Sequence, residues 1–416
     1  MEKNKSYLVA FILVTSLFFL WGFAHNLDPI LIPHLKKSFT LTTMQSTLVD
    51  SAVFIAYFLM ALPAGFIMKK FGYKMGIISG LLFFAAGCFL FVPAANYQSY
   101  NYFLIALFVI ACGLTILETA ANPYAAALGN PATSTQRLNL AQSFNGLAAA
   151  LAPVIGARII LTKEFSEEQL NGLTEVARKA ALAAEASTVK MPYTVLGIVL
   201  LCIALLFAFI HLPKINKETG EASGKNIFHA LKHRHLKWAV IAQFFYVGAQ
   251  VSVFSLFILY ATKSAGLTEV TAADYLGACG IAFLIGRFLG TFLMKYIKPE
   301  RLLMFYSLAN MVLCGIAISL SGMITVYAVV GICFFMSIMF PTIFSLGIKD
   351  LKGDTEYGSS LIIMSIVGGA ILPRAFGFIS DSTNNIQLGY FVPLICFAVT
   401  LFFGWQGYKP TTSKID

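Results

Sequence analysis

Long apolar segments recur along the whole chain and are separated by short polar loops. A helix that crosses the hydrocarbon core of a bilayer needs about 20 mostly apolar residues. In lipid such segments must be helical, because no water is present to satisfy the backbone N–H and C=O groups. Twelve segments have the required length, over residues 8–32, 47–68, 73–96, 101–126, 138–162, 193–213, 237–262, 271–295, 301–321, 324–347, 358–380 and 387–408. The pattern predicts an all-α polytopic membrane protein with twelve transmembrane helices.

The polar segments divide this pattern into two halves. Residues 214–236 are polar and basic, and they indicate a cytoplasmic linker between six-helix bundles over 1–213 and 237–416. Short strings recur in both halves at a shared offset, for example Phe-Phe-Leu-Trp-Gly (18–22) and Phe-Phe-Tyr-Val-Gly (244–248). Such recurrence is typical of a duplicated six-helix unit. Residues 163–192 are rich in Glu and Ala and predict a partly helical external loop.

Charge and composition add an orientation. Hydrophobic residues make up 58% of the chain and charged residues 12%, whereas soluble proteins carry about 25% charged residues. With both termini in the cytoplasm, nineteen Lys and Arg residues fall in inner loops and seven in outer loops, as the positive-inside rule requires. The net charge of +10 is spread over many loops, which argues against a nucleic-acid patch.

The N-terminus resembles a signal peptide only in part. Lys3 and Lys5 precede an apolar run, but that run continues past Trp21 into Asn26 and Asp28 without a small-residue cleavage site. We therefore expect a first transmembrane helix that is retained.

Two acidic residues within the spans are candidates for proton binding. Ionisable groups are costly inside a membrane and mark functional sites by default. Glu118 lies in the middle of span four, where it could bind a proton or accept hydrogen bonds from a substrate hydroxyl. Asp28 lies beside Pro29 and Pro33 near the end of span one, where a helix break frees backbone carbonyls. The alternatives are a Glu118 that an intramembrane arginine neutralises and an Asp28 at the outer water boundary.

Polar side chains without charge form two helical stripes. Asn139, Gln142 and Asn145 recur at three-residue spacing in span five, and Gln243, Tyr246 and Gln250 share one face of span seven. Amides and a phenol suit a neutral polyol. The alternative is hydrogen bonding between helices, which is common in membrane bundles. Both stripes together favour a polar cavity.

Other kinds of chemistry find no support in the sequence. The seven cysteines lie in apolar runs without a CxxC pair and indicate small buried side chains. No phosphate-binding loop, Ser-His-Asp arrangement or zinc-ligand spacing occurs. We expect a protein that is not an enzyme and that has no metal and no cofactor.

Several strings resemble a known family, the L-fucose–proton symporters of the major facilitator superfamily. They are spread in order over nearly the whole chain: Leu-Glu-Thr-Ala-Ala-Asn-Pro (117–123), Arg-Leu-Asn-Leu-Ala-Gln-Ser-Phe-Asn (137–145), Tyr-Val-Gly-Ala-Gln (246–250), Phe-Pro-Thr-Ile-Phe-Ser-Leu-Gly-Ile-Lys (340–349) and Tyr-Gly-Ser-Ser (357–360). The resemblance implies two six-helix bundles around a central cavity and sugar uptake driven by a proton gradient. Residues 65–74 resemble the cytoplasmic signature loop of the superfamily.

The resemblance also implies roles for individual residues. Its two key acids correspond to Glu118 and to Asp28, although the family's Asn-Asp pattern is displaced by one position at Asp28. Related glucose/galactose carriers tend to have a glutamine where this chain has Glu118, so this residue favours the fucose type. The resemblance and the stripes together predict a sugar site formed by Asn26, Glu118, Asn139, Gln142, Asn145, Tyr246 and Gln250.

The function predicted from the sequence is proton-coupled uptake of a neutral monosaccharide, with L-fucose as the first candidate. The alternatives are a symporter for glucose, galactose or another hexose, sodium in place of the proton, and a drug or metabolite exporter of the same fold. The expected partners are the sugar and the lipid bilayer, without nucleic acid, and the expected state is a monomer. The expected location is the bacterial inner membrane, with both termini in the cytoplasm.

Overall fold

The structure, a computed structural model, describes residues 2–27, 39, 48–160, 172–210, 212–213 and 227–410. Within these ranges the chain is helical and contains no strand, which confirms the predicted all-α class. Asp28, residues 163–171 of the predicted loop 163–192 and residues 214–226 of the predicted linker lie outside the described residues.

The helices follow the chain in the order that the apolar pattern predicts. Those before the linker are α1 (Glu2–His25), α2 (Leu48–Phe71), α3 (Tyr73–Asn96), α4 (Tyr100–Ala127), α5 (Ser134–Ile160), α6 (Glu175–Ser187) and α7 (Lys190–Phe209). Those after it are α8 (Ile227–Ala230), α9 (Arg234–Ser255), α10 (Phe257–Ala265), α11 (Glu269–Leu293), α12 (Pro299–Ser319), α13 (Met323–Met336), α14 (Met339–Gly347), α15 (Thr355–Met364), α16 (Gly368–Thr383) and α17 (Phe391–Phe402). A short π-helix, Phe403–Gly407, extends α17.

Eleven helical segments in the described ranges are long and apolar enough to cross a membrane. The 27-residue helix α5 adds the length of a further span. Large apolar side chains on these helices are exposed, among them Phe66, Leu205 and Phe378, as a surface covered by lipid requires. The helix α6 lies in the stretch 163–192, so the expectation of a partly helical loop is confirmed.

Three predicted spans are interrupted. The seventh is divided at Leu256 into α9 and α10, the tenth at Ser337 and Ile338 into α13 and α14, and the eleventh by a 3₁₀ turn between α15 and α16. Pro341 accounts for part of the break in the tenth span. It has no N–H to donate to the carbonyl of Ser337 four residues earlier, so that carbonyl needs another donor.

The described residues group into two compact units. One comprises Met1–Phe18, Asn122–Gly146 and Pro213–Asp416, and we call it the larger unit. The other comprises Phe19–Ala121 and Leu147–Leu212, and we call it the smaller unit. The bundle boundaries expected from the sequence stay a prediction.

In the smaller unit, α3 packs against α7. Its Phe91 ring stacks on Tyr193 of α7 with centroids 3.7 Å apart. Lys74, at the end of the signature-like loop, donates to the carbonyls of Ala208 (2.8 Å) and Ile210 (3.0 Å). A lysine suits this place because the last carbonyls of a helix lack partners and carry partial negative charge.

The helices α3 and α4 approach each other backbone to backbone. A Cβ at Gly113 would overlap the main-chain nitrogen of Phe84, and one at Gly80 would lie 3.0 Å from that of Leu117. Small residues permit such close contact between membrane helices. The contact fixes the part of α4 that carries Glu118.

We expect Gly113→Ala to destabilise the protein by about 1–3 kcal/mol, because the added methyl group must displace the α3 backbone. The midpoint of thermal unfolding in detergent should fall. The matched control is Gly315→Ala on α12, where a Cβ would meet open space and where alanine favours the helix. Equal midpoints for the two variants would contradict the close contact.

Candidate functional site

A glutamate and a tyrosine form a buried pair within the smaller unit. The hydroxyl of Tyr57 on α2 donates to Oε1 of Glu118 on α4 over 2.8 Å. Glu118 is 9% exposed and Tyr57 is 4% exposed. The structure therefore places the predicted acid in a site that has little access to water and gives it a neutral hydrogen-bond donor.

The neighbouring polar groups on α4 are satisfied by their own helix. Thr115 donates to the carbonyl of Ala111, and Thr119 donates to the carbonyl of Thr115, each over 2.7 Å. Such bonds to the preceding turn are usual for hydroxyls inside helices. On this stretch of α4, the carboxylate of Glu118 takes a partner from another helix.

Among the side chains that the structure describes, no arginine or lysine forms an ion pair with Glu118. Arg287, the buried arginine that could neutralise an acid, binds main-chain carbonyls instead. The side chain of Arg158 lies outside the described residues. Neutralisation by an arginine, the alternative reading of Glu118, therefore receives no support from the described side chains.

The amide stripe on α5 lies within the larger unit as far as Gly146, and each amide donates to a different element. Asn139 donates to Oγ1 of Thr342 on α14 (3.2 Å) and Asn145 to the carbonyl of Phe18 on α1 (3.3 Å). Gln142 donates to Oδ1 of Asn122 over 3.0 Å. The stripe thus serves in contacts between helices, the alternative that the sequence left open.

Among the described residues, the oxygens of these amides accept fewer hydrogen bonds than their nitrogens donate. Oδ1 of Asn139 is buried without a partner in the described part of the chain. Among the described residues, no hydrogen bond is made to the amide oxygens of Gln142 and Asn145. Asn145 is half-buried. The oxygens of Gln142 and Asn145 can accept hydrogen bonds from the hydroxyl groups of a ligand without breaking the contacts between helices.

Arg287 on α11 ties α5 to the interrupted tenth span within the larger unit. Its Nη1 donates to the carbonyl of Gln142 (2.7 Å) and its Nε to the carbonyl of Ser337 (2.9 Å). The guanidinium carbon lies 4.6 Å from the ring centroid of Phe283. Arg287 therefore supplies the donor that Pro341 cannot give to Ser337.

Tyr246 donates a hydrogen bond at the same interruption of the tenth span. It is fully buried, and its hydroxyl donates to the carbonyl of Met336 over 3.0 Å. Gln250, the next member of the stripe on α9, is half-buried and makes no hydrogen bond to any described residue. The structure thus gives Tyr246 a structural contact and leaves the amide of Gln250 available.

The remaining predicted residues lie at the end of the first span. Asn26 is half-buried, and its Nδ2 donates to the carbonyl of Gly22 over 2.7 Å. Asp28 lies outside the described residues. Its predicted role in proton coupling stays a prediction.

Sequence reasoning missed the roles of three residues in these contacts. Tyr57, whose hydroxyl donates to Glu118, is absent from the site predicted from the sequence. Arg287 and Asn122 are absent from it as well. Charged residues within apolar spans could have identified Arg287, whereas the other two depend on tertiary contacts.

Known proteins resemble this chain over nearly its whole length. The family description "Major Facilitator Superfamily" matches residues 9–355. An L-fucose-proton symporter of Escherichia coli (strain K12) is 42% identical, with 96% of this chain and 93% of that protein aligned. A glucose/galactose transporter of Brucella abortus (strain 2308) is 41% identical, with 98% and 96% aligned.

Solved structures show the same similarity. The crystal structure of FucP in the outward conformation is 42% identical, has a TM-score of 0.89, and covers 96% of this chain and 99% of its own. The proton:xylose symporter XylE, at 14% identity and a TM-score of 0.70, covers 98% of this chain and 97% of its own and shares the fold alone. The chain belongs to the major facilitator superfamily, in the group that contains the L-fucose–proton symporters and the glucose/galactose transporters.

Proposed function

We propose that this protein couples the uptake of L-fucose to the entry of protons by alternating access. The observation that supports the proposal best is the buried carboxylate of Glu118, which is held by the hydroxyl of Tyr57 and has no cation among the described side chains. The proposed ligands are the sugar and the proton, and no metal or organic cofactor takes part.

A buried carboxylate of this kind is suited to carry a proton. Removing an ionised carboxylate from water is costly unless a charge compensates it, and protonation removes that cost. Tyr57 offers only a neutral donor, so it orients Glu118 without fixing it in the charged state. Glu118 can then exchange a proton during each cycle, with Asp28 as the second predicted acid.

The choice of L-fucose rests on the site, because overall sequence identity to the relatives does not distinguish the candidate sugars. Identity to a relative named for L-fucose is 42%, and identity to one named for glucose and galactose is 41%. Glu118 stands where the glucose/galactose type tends to have glutamine, which favours L-fucose. Among the described residues, the amide oxygens of Gln142 and Asn145 accept no hydrogen bond and the amide of Gln250 makes none, so these groups suit sugar hydroxyl groups.

We also propose the membrane in which the protein lies, the side of its termini and the number of chains that work together. The excess of Lys and Arg in the predicted inner loops supports cytoplasmic termini. The bacterial relatives support an inner-membrane location. We propose a single chain as the working unit, since the amide stripes and the acid all belong to one chain.

Transport by the purified protein in liposomes tests the function directly. We expect labelled L-fucose to accumulate only with an inward proton gradient, and unlabelled L-fucose to compete better than glucose or galactose. Accumulation of glucose or galactose instead would keep the coupling and change the sugar. Transport of hydrophobic cations without any sugar transport would replace the proposal with an exporter, and dependence on sodium would replace the proton.

We expect Glu118→Gln to abolish accumulation driven by the proton gradient, because an amide cannot bind and release the proton. Exchange of labelled for unlabelled sugar at equal pH separates coupling from binding and should persist. The matched control is Asp274→Asn, which removes an exposed carboxylate on α11 and should leave accumulation unchanged. Uphill uptake by Glu118→Gln at the wild-type level would show that another group carries the proton.

We expect Arg287→Lys to weaken both the fold and the transport of sugar. One ammonium group cannot reproduce the two directed bonds to Gln142 and Ser337, and a buried carbonyl left without a donor costs about 1–3 kcal/mol. The thermal midpoint in detergent and the uptake of labelled sugar should both fall. Arg301→Lys, at an exposed position on α12, is the control. Wild-type values for Arg287→Lys would mean that the carbonyls find other donors.

A further inference from the structure

Two histidines converge on one carboxylate at the end of the central linker, inside the larger unit. Nδ1 of His229 on α8 lies 2.8 Å from Oδ2 of Asp354, and Nε2 of His233 lies 3.2 Å from the same oxygen. His233 directly precedes α9, and Asp354 ends the 3₁₀ turn between α14 and α15. The contacts thus join the segment that leads into the seventh span to the loop between the tenth and eleventh.

The two sides of this contact differ in their access to water. The side chain of Asp354 is 2% exposed, and its Oδ1 has no partner in the described part of the chain. The rings of His229 and His233 are 35% and 32% exposed. The histidine rings are therefore accessible to solvent, while the carboxylate that they bind is shielded from it.

Other titratable and charged groups lie on the same segments as the contact. His235 binds the carbonyl of Lys349 through Nε2 over 2.8 Å, and its ring centroid lies 5.8 Å from that of His233. The titratable and charged groups on the segments that carry the contact are Lys232 before α9, Arg234 on α9, and Lys349, Asp350, Lys352, Glu356 and Tyr357 on either side of Asp354, of which Glu356 is buried. In the described part of the chain, no cluster of His, Cys, Asp and Glu has the spacing of a metal site.

We propose that His229, His233 and Asp354 form a proton-responsive clasp that fastens the end of the linker to the loop between α14 and α15. Histidine is the side chain that ordinarily changes charge between about pH 5 and pH 8. A neutral ring can donate one hydrogen bond to the carboxylate of Asp354, and a protonated ring adds the attraction between opposite charges. The clasp therefore tightens as the pH falls and loosens as it rises.

The clasp has a consequence for transport that rests on the proposed function. In the predicted topology it faces the cytoplasm, the compartment into which a symporter releases its protons. Acidification there tightens the hold on the linker and slows the step in which the linker must move. The protein thereby senses the proton that it delivers, at a site distinct from Glu118.

Hydrogen–deuterium exchange of residues 227–236 in the purified full chain tests the clasp without requiring transport. After correction for intrinsic exchange, we expect protection at about pH 6 to exceed that at about pH 8 by roughly 5-fold, the equivalent of about 1 kcal/mol. Asp354→Asn, which keeps an acceptor oxygen but no charge, should show equal protection at both pH values.

Substitutions of the partly exposed histidines test the clasp independently, in case Asp354→Asn has a folding defect. The variant with both His229→Gln and His233→Gln should also lose the response. His235→Gln, which removes a histidine bound to a main-chain carbonyl, should keep it. Sugar exchange in liposomes with acid on the clasp side should slow in the wild type and not in Asp354→Asn. A pH response of wild-type size in Asp354→Asn and in the double variant would overturn the proposal, even if the protein transports L-fucose as proposed.

Discussion

The absence of water from the bilayer core is the constraint on which the rest of this structure depends. Every main-chain polar group in a span must find a partner within the protein. Where the tenth span is interrupted, Pro341 leaves the carbonyl of Ser337 without its usual donor. Arg287 and Tyr246 supply donors to Ser337 and Met336 from two other helices. The break is therefore stable only because distant residues complete its hydrogen bonds.

The absence of water also determines how easily Glu118 carries a charge. Glu118 cannot remain charged at low cost without a cation or water, and Tyr57 compensates it only in part. A full ion pair would hold the proposed proton site in one state and remove its ability to exchange. Among the described residues the carboxylate accepts from one neutral donor, which leaves it incompletely satisfied.

The fold could be predicted from the sequence to a large extent, because length and apolarity alone specify a membrane helix. Glu118 could be found in the same way, since a carboxylate stands out in an apolar span. Its partner could not, because Tyr57 lies 61 residues away in sequence and tyrosines in membrane proteins have many uses. The breaks at Leu256 and Ser337 also escaped the pattern, since hydropathy is insensitive to a local change in backbone direction. Tyr246 illustrates the remaining ambiguity, because spacing places it on a polar face without showing that its hydroxyl binds a carbonyl.

The atoms that Arg287 binds have a consequence for how such proteins diversify. Both acceptors are main-chain oxygens, those of Gln142 and Ser337, and every amino acid supplies such an oxygen. The side chain at position 142 can therefore drift from an amide to another group while the arginine bridge persists. The arginine bridge and the amide side chain at position 142 use different atoms of the same residue, so a substitution there can change the side chain without removing the bridge.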